Sequence, residues 1–492
     1  MAKNDFDMVI IGGGVGGLVT ASGLAQLGAD ICLIEKEEGK LGGDCLYYGC
    51  VPSKTLIRSA RLADDMRHAD DYGLPAHDPD IDFSEVMDRM WDVIEHIEEH
   101  DDPQRFRDMG VDVRFGEGQF VSPDEFELDG ETISGSRYMV STGSSPAVPP
   151  IEGIEDVDYL TNVEALRLDE LPDSMIVVGG GPIGLELGQT FHRLGSDVRI
   201  VETLPCILSK EDEEIACLAH DLLEDDGLKI STEVRAESVR QDEDGIIVEA
   251  SLGEKEETLR ADELLMATGR APNVQNLGLD AAGVEYDERS GINVNDRMQT
   301  SQSHIYSVGD VTGLYPFTHM AEYQAKVVIE NIMKGFVKWI PGMARKADYS
   351  VVPWCTYTDP EVARVGMTEE GAVEEYGGES VNVSRYPLTD QDRAVIEGEN
   401  DGLIKLIFRE KTFSFQPELV GAHIVGPQAG ELIHEYVQAM TADVSPSTLS
   451  GMIHVYPTLS QSNQRAVGQY LWEGLLDGFI PSMVQSYLNW TR

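Results

Sequence analysis

Cys45 and Cys50 stand five positions apart in the stretch GDCLYYGCVPSK (43–54), in a chain of 492 residues that holds only six cysteines. Thiols at this spacing allow three readings: half of a zinc site, a dithiol that cycles with a disulfide, or two inert core thiols. No second Cys/His pair with finger spacing accompanies them, which disfavours zinc. The segment that follows, VPSKTLIRSARLADDM, reads as a helix with Pro52 in its first turn. A helix dipole stabilises a thiolate at its N-terminus, so Cys50 is placed to have a lowered pKa. Cys32, Cys206, Cys217 and Cys355 are isolated in the sequence and are expected to be buried structural thiols.

Elements able to position such a pair appear as an internal repeat. DMVIIGGGVGGLVTASGLAQLGADICLIEK near the N-terminus reads as apolar strand, glycine turn, amphipathic helix and second strand ending in an acid. SMIVVGGGPIGLELGQTFHRLGSDVRIVET, near the middle, reads the same way. The first copy offers Gly12, Gly14, Gly17 and Glu35, the second Gly179, Gly181, Gly184 and Glu202; first glycine and acid are 23 residues apart in both. The first glycine makes the tight turn, the second lets backbone N–H groups approach a pyrophosphate, and the third lets helix pack on strand. Phosphates then sit at a positive helix N-terminus, and the acid accepts from ribose hydroxyls. One such fingerprint is weak evidence; two complete copies imply two bound dinucleotides.

Composition narrows the partners. There are 88 acidic and 37 basic residues, of which only 13 are lysine, and the formal net charge is −51. Phosphate polymers and anionic membranes would be repelled, so neither nucleic acid nor a membrane is expected as a partner. The acids are dispersed along the chain, as in a salt-accumulating halophile whose cytosolic cations screen self-repulsion; an acidic mesophilic protein is the alternative. No apolar run approaches the roughly 20 residues of a membrane-spanning helix, and the N-terminus is not built like a signal peptide, so a cytoplasmic location is expected.

Two dinucleotide motifs flanking a CxxxxC pair resemble the flavoprotein disulfide reductases, the family of dihydrolipoyl dehydrogenase, glutathione reductase and mercuric reductase. The resemblance runs through STGSSP (141–146), ATGRAPN (267–273), SVGDV (307–311), TYTDPEVARVG (356–366) and VGAHIVGPQAGELI (420–433). It implies an α/β fold of two Rossmann-like dinucleotide-binding domains and a C-terminal α+β dimer-interface domain. The expected division is FAD domain 1–154, NAD(P) domain 155–275, return to the FAD domain 276–345, and interface domain 346–492 with a helical extension. The resemblance also implies that Gly12, Gly14, Gly17, Glu35, Gly118, Thr142, Gly143 and Asp310 hold FAD. Gly179, Gly181, Gly184, Glu202 and Gly269 would hold NADH or NADPH. Cys50 would face the flavin and Cys45 would exchange with substrate. Lys54 would approach the reactive edge of the flavin, with Glu186 as its acidic partner.

One motif departs from the family pattern. Where these reductases usually carry His-Pro-Thr and then Glu, contributed across a homodimer, this chain reads HVYPTLSQ (454–461). Tyr456 occupies the histidine position and Gln461 the glutamate position. A phenol forms no imidazolium and needs no balancing carboxylate, but with a reference pKa of about 10 it is a poor base. His454 is a second candidate, because residues two apart in an extended segment point the same way, but a surface or packed histidine is the favoured reading. The Tyr-Pro-Thr variant leans toward the mercuric-reductase-like branch, although the C-terminus SMVQSYLNWTR has no cysteine pair to deliver Hg(II).

The leading expectation is an FAD-dependent NAD(P)H:disulfide oxidoreductase, acting on a low-molecular-weight disulfide through Cys45 and Cys50. A carboxylate at Glu202, followed by TLPCIL without an arginine cluster, favours NADH. If the chain is halophilic, bis-γ-glutamylcystine becomes a candidate substrate. Alternatives are a metal-ion or quinone reductase, dihydrolipoyl dehydrogenase, and an FAD-binding redox sensor. The final segment QYLWEGLLDGFIPSMVQSYLNWTR is expected to be helical and to join the core, with packing on a dimer partner or cover of the active-site mouth as the alternatives.

Overall fold

A computed structural model describes residues 4–253, 255–335, 342–410, 417–476 and 480–491. Their contacts close into two units, one of residues 1–173, 193–195 and 263–348, the other of residues 174–192, 196–262 and 349–492. The segments 155–173 and 263–275, expected with the nucleotide domain, fall within the first unit.

In the first unit the apolar run MVII forms β1 (Met8–Ile11), followed by α1 (Val15–Ala25) and β2 (Ile31–Glu35). These strands pair in parallel, Ile10 opposite Leu33, and are joined by β3 (Asp112–Phe115) and β4 (Tyr138–Val140). The strand Ile305–Ser307 completes a five-stranded parallel sheet as an edge beside β4. Both faces are covered, which is why β1 and β4 are apolar without alternation. The cysteine pair leaves this sheet on two helices, α2 (Gly43–Tyr47) and α3 (Cys50–Arg67), with α4 (Phe83–Glu98) packed on α3.

The second unit repeats the device. Strands β5 (Ser174–Val178), β6 (Asp197–Val201) and β7 (Lys229–Ser231) run parallel, with Ile200 between Val177 and Ile230. Helix α5 (Pro182–Leu194) follows the glycine turn, and α6 (Glu213–Asp225) follows β6. Further along, β8 (Pro353–Thr356), β9 (Glu361–Gly366), β10 (Val381–Pro387), β11 (Leu403–Arg409) and β12 (Glu418–Gly426) form an antiparallel sheet in the order β8-β9-β12-β11-β10. Helices α7 (Ala429–Thr441) and α8 (Gln461–Leu476) cover it, burying Leu406, Phe408, Ile424, Tyr436 and Val467 in one core. Helix α9 (Ile480–Trp490) confirms the helical reading of the tail. Burial in the core is not seen among the described residues: Trp472, Leu476, Met483, Tyr487 and Trp490 are exposed.

Two polar groups are locked inside the second unit. Lys405 is 3% exposed and meets Asp212 at 2.7 Å, Glu369 at 2.7 Å and Glu214 at 2.9 Å. Three carboxylates offset the cost of burying that ammonium, and they hold its pKa above the ordinary lysine value although burial opposes them. His423 on β12 donates from Nε2 to the Met367 carbonyl at 3.0 Å, while its buried Nδ1 has no hydrogen-bond partner among the described residues. A proton there would enter a dry site without an acceptor, so burial holds the imidazole down to about 4.

An unfolded histidine takes up its proton near pH 6.5, whereas this one resists until about 4. Stability is therefore intact above pH 6.5 and falls as pH drops toward 4, by about 3 kcal/mol for this group. Thermal melts of the protein and of His423→Gln, which keeps a donor for Met367, test this. The loss of melting temperature between pH 6.5 and pH 4.5 is expected to be smaller in the variant.

Candidate functional site

The backbone of the first glycine motif shows why its residues are glycines. Gly12 has φ +106°, and a Cβ on it would lie 2.4 Å from the Ser141 carbonyl. A Cβ on Gly17 would lie 2.0 Å from the Gly12 carbonyl, so helix and turn touch only through hydrogen. Gly14 is different: its Cβ would meet nothing, leaving open space at the start of α1 where a pyrophosphate could approach bare N–H groups. Glu35 closes the turn, one carboxylate oxygen accepting from Gly13 N at 2.7 Å and the other from Lys36 N at 2.7 Å. Burial raises its pKa, and those backbone donors oppose the rise.

The second motif has the same geometry. Gly179 has φ +118°, Gly181 again faces open space, and Gly184 lies in the first turn of α5. Glu202 accepts from Gly180 N at 2.7 Å and from Leu204 N at 2.8 Å. Both turns thus fit a dinucleotide by a test independent of the sequence pattern: the space a side chain would occupy is vacant where phosphate belongs.

Cys45 lies on α2 and Cys50 is the first residue of α3, as the helix reading required. Their thiols hydrogen-bond to each other, and Thr318 Oγ1 stands 3.4 Å from the Cys50 sulfur. The hydrogen bond to Cys50, and then burial, push the Cys45 thiol far above the ordinary range. It stays protonated at neutral pH, so it needs a proton acceptor before it can attack. Beside Cys50 opens a cleft of about 420 Å³ lined by Lys54, Arg58 and Arg89 together with Val51, Thr55, Val93 and Ile97. Every charged residue lining it is basic, in a chain of net charge −51.

Behind the pair runs a network that the sequence did not single out. Asp44, adjacent to Cys45, pairs with Arg270 at 3.1 Å. Arg270 donates to Ser144 Oγ at 2.8 Å and to the Ser144 carbonyl at 2.7 Å, and Ser144 Oγ donates to Asp310 at 2.7 Å. Burial raises the Asp44 pKa, with Arg270 opposing. Thr142 and Gly143 are stitched to Asn273: Thr142 Oγ1 donates to its carbonyl at 2.8 Å, and Asn273 N donates to the Gly143 carbonyl at 2.9 Å. Gly269, with φ +130°, precedes a short strand (Arg270–Pro272) that pairs with Ser144–Pro146. Thr142, Gly143, Gly269 and Asp310 are thereby brought together. Gly118 has a packing reason to be glycine, since a Cβ there would sit 2.5 Å from the Glu127 carbonyl.

Glu186, buried on α5 in the other unit, accepts from Tyr357 N at 2.8 Å. The segment after α7 separates the two acid–base candidates. Ile453, Val455 and Tyr456 are 99%, 76% and 62% exposed, whereas the His454 side chain is 8% exposed and pairs with Glu435 at 3.0 Å. His454 is thus a packed histidine, held inward by the Glu435 carboxylate and turned away from the side on which Tyr456 is exposed. Gln461 begins α8, and its buried Oε1 has no hydrogen-bond partner among the described residues. The four remaining cysteines need one correction. Cys32 is buried, with its thiol pushed up to about 12, Cys206 and Cys355 are half-buried, and Cys217 is exposed.

Arg270 carries the charge balance of the network, so Arg270→Ala should leave Asp44 protonated and loosen the loops around Thr142. We expect flavin affinity to fall at least roughly tenfold, read by fluorescence titration of FAD into flavin-stripped protein.

Residues 6–325 match the pyridine nucleotide-disulphide oxidoreductase family, and residues 352–467 match the dimerisation domain of the same family. A dihydrolipoyl dehydrogenase of Thermus scotoductus is 36% identical over 94% of this chain and 96% of its own. A mercuric reductase of Bacillus cereus is 33% identical over 94% of this chain and 71% of its own. The solved structure of RclA, an HOCl-induced flavoprotein disulfide reductase from Escherichia coli, superposes with a TM-score of 0.83 at 28% identity, covering 95% of this chain and all of that one. These matches, with two glycine turns and a thiol pair at a helix N-terminus, place the chain in the pyridine nucleotide-disulphide oxidoreductase family, whose enzymes use FAD and a pyridine nucleotide.

Proposed function

We propose that the protein reduces a small anionic disulfide at the expense of NADH, with Cys45 and Cys50 as the exchanging pair. The observation that carries this is the basic cleft beside Cys50. In a chain so acidic, Lys54, Arg58 and Arg89 around one opening favour a ligand carrying carboxylates. Bis-γ-glutamylcystine has that chemistry; uncharged lipoamide does not.

The first glycine turn, Glu35, Thr142, Gly143 and Asp310 would hold FAD, and the second turn with Glu202 the nicotinamide nucleotide. Bound FAD supplies the two-electron relay from NADH to the cysteine pair. The chain's own groups do the thiol chemistry. Cys45 sulfur, its proton passed on, attacks the substrate disulfide, forming a mixed disulfide and releasing one thiol. Cys50 sulfur then attacks Cys45, closing the internal disulfide and releasing the second thiol. Both protons of the dithiol leave on the two product thiols. Glu202 favours NADH because its carboxylate would repel a 2′-phosphate.

Tyr456 fits the role of proton donor to the departing thiolate from the other protomer of a homodimer. It projects from an exposed apolar segment that a second copy would cover, whereas His454 is engaged with Glu435. A metal-ion reductase remains the second reading, favoured by the tyrosine in place of the usual histidine.

The deciding experiment measures NADH and NADPH oxidation in molar KCl with bis-γ-glutamylcystine, lipoamide, glutathione disulfide, a quinone and Hg(II). Anionic disulfides should turn over fastest, with activity abolished in Cys45→Ser. Arg58→Glu should raise KM for the anionic substrate roughly fivefold and leave a quinone rate unchanged. Reaction with metals or quinones alone would defeat the proposal. A separate assay concerns the proton: Tyr456→Phe should lower kcat about 100-fold with a disulfide, and His454→Gln far less.

A further inference from the structure

Tyr456 projects from a stretch that its own chain grips at few points. Met452, Ile453, Val455 and Tyr456 are exposed, so apolar packing within this chain does not fix the segment. Its two ends are tied through the main chain. Gln464 Nε2 on α8 donates to the Ser450 carbonyl at 3.1 Å and also to that of Met452. Gln391 Nε2 donates to the Thr458 carbonyl at 2.7 Å, and Thr458 Oγ1 to the Val455 carbonyl at 2.7 Å. Among the described residues 452–456, only His454 is turned inward, and its Nε2 donates to Glu435 at 3.0 Å.

Glu435 is itself held in place. Its second carboxylate oxygen accepts from Asn463 Nδ2 at 3.0 Å, and the same amide nitrogen donates to the Leu432 carbonyl at 2.9 Å. Asn463, on α8, is buried, as is Tyr436 beside Glu435 on α7. One carboxylate therefore joins α7, α8 and the exposed segment. His454 Nδ1 is buried with no hydrogen-bond partner among the described residues, so the hydrogen that makes the pair sits on Nε2 and the ring bonds in one orientation. The imidazole pegs the middle of the segment, two residues from the phenol.

We propose that Glu435 and His454 are positioning residues for Tyr456, holding its segment so that the phenol is aimed at the departing sulfur. The inference rests on the proton-donor role given to Tyr456 above. Misplacing a reacting group by about 1 Å can cost about 100-fold in rate, so a single peg suffices to matter. Neither Glu435 nor His454 touches the substrate; both act through the tyrosine.

The test compares holoenzyme variants by NADH oxidation with bis-γ-glutamylcystine. His454→Ala and Glu435→Ala should each lower kcat about tenfold and change KM by less than about twofold, and the two together should cost no more than either alone. His454→Gln, whose amide can still reach Glu435, should restore most of the rate. The quinone rate, which needs no thiol protonation, reports that each variant has folded and bound flavin. In a Tyr456→Phe background, His454→Ala should cost nothing further. Fluorotyrosine in place of Tyr456 supplies a readout independent of turnover: its fluorine NMR signal should be single and narrow in the parent and in His454→Gln, and broadened or split in His454→Ala. Full activity in Tyr456→Phe would defeat the donor reading. Undiminished kcat in His454→Ala, a loss repeated in full in the Tyr456→Phe background, or a fluorine signal unchanged by His454→Ala would overturn the positioning role.

Discussion

The structure depends on backbone N–H groups left bare at the starts of two helices. Each is made possible by a turn that tolerates no side chain: Gly17 touches the Gly12 carbonyl, and Gly12 itself lies at positive φ. A carboxylate from the end of the next strand closes each turn, Glu35 on Gly13 and Glu202 on Gly180. These acids fix the loop before any ligand arrives, while remaining the groups that a ribose would meet. Strand pairing in both sheets follows from that geometry, since the strand ending in the acid must lie beside the strand entering the turn.

The thiol pair is an addition to this frame. Helix α3 begins at Cys50, so the pair sits at a positive terminus, yet Cys45 keeps its proton because its hydrogen bond and its burial both favour the neutral thiol. The Asp44–Arg270–Ser144–Asp310 network links the residue beside Cys45 to three segments distant in sequence.

Local features were legible in the sequence. The glycine turns, their acids and the helix after Cys50 are written in runs shorter than 35 residues, and each residue type has one physical reason to be there. Partnerships across long separations were not. Arg270 and Asp44 both lie in recognisable motifs, ATGRAPN and GGDC, but nothing in either names the other. The alternation argument for His454 assumed an extended strand, and a carboxylate at Glu435, nineteen residues earlier, overrules it. Exposure of Trp472 and Tyr487 was also hidden, since apolar residues at helical spacing read alike whether they pack on their own chain or on another.

The cleft beside Cys50 sets two electrostatic ranges against each other. Far from the surface an anionic ligand meets a chain of net charge −51 and is turned away; within contact distance it meets Lys54, Arg58 and Arg89. Dissolved salt shortens the first range, to about 3 Å at 1 M, and weakens contact pairs far less. For the anionic substrate proposed above, the ionic strength of the medium would act as a filter on encounter and leave capture to the cleft, so the surrounding electrolyte would become part of the enzyme's selectivity.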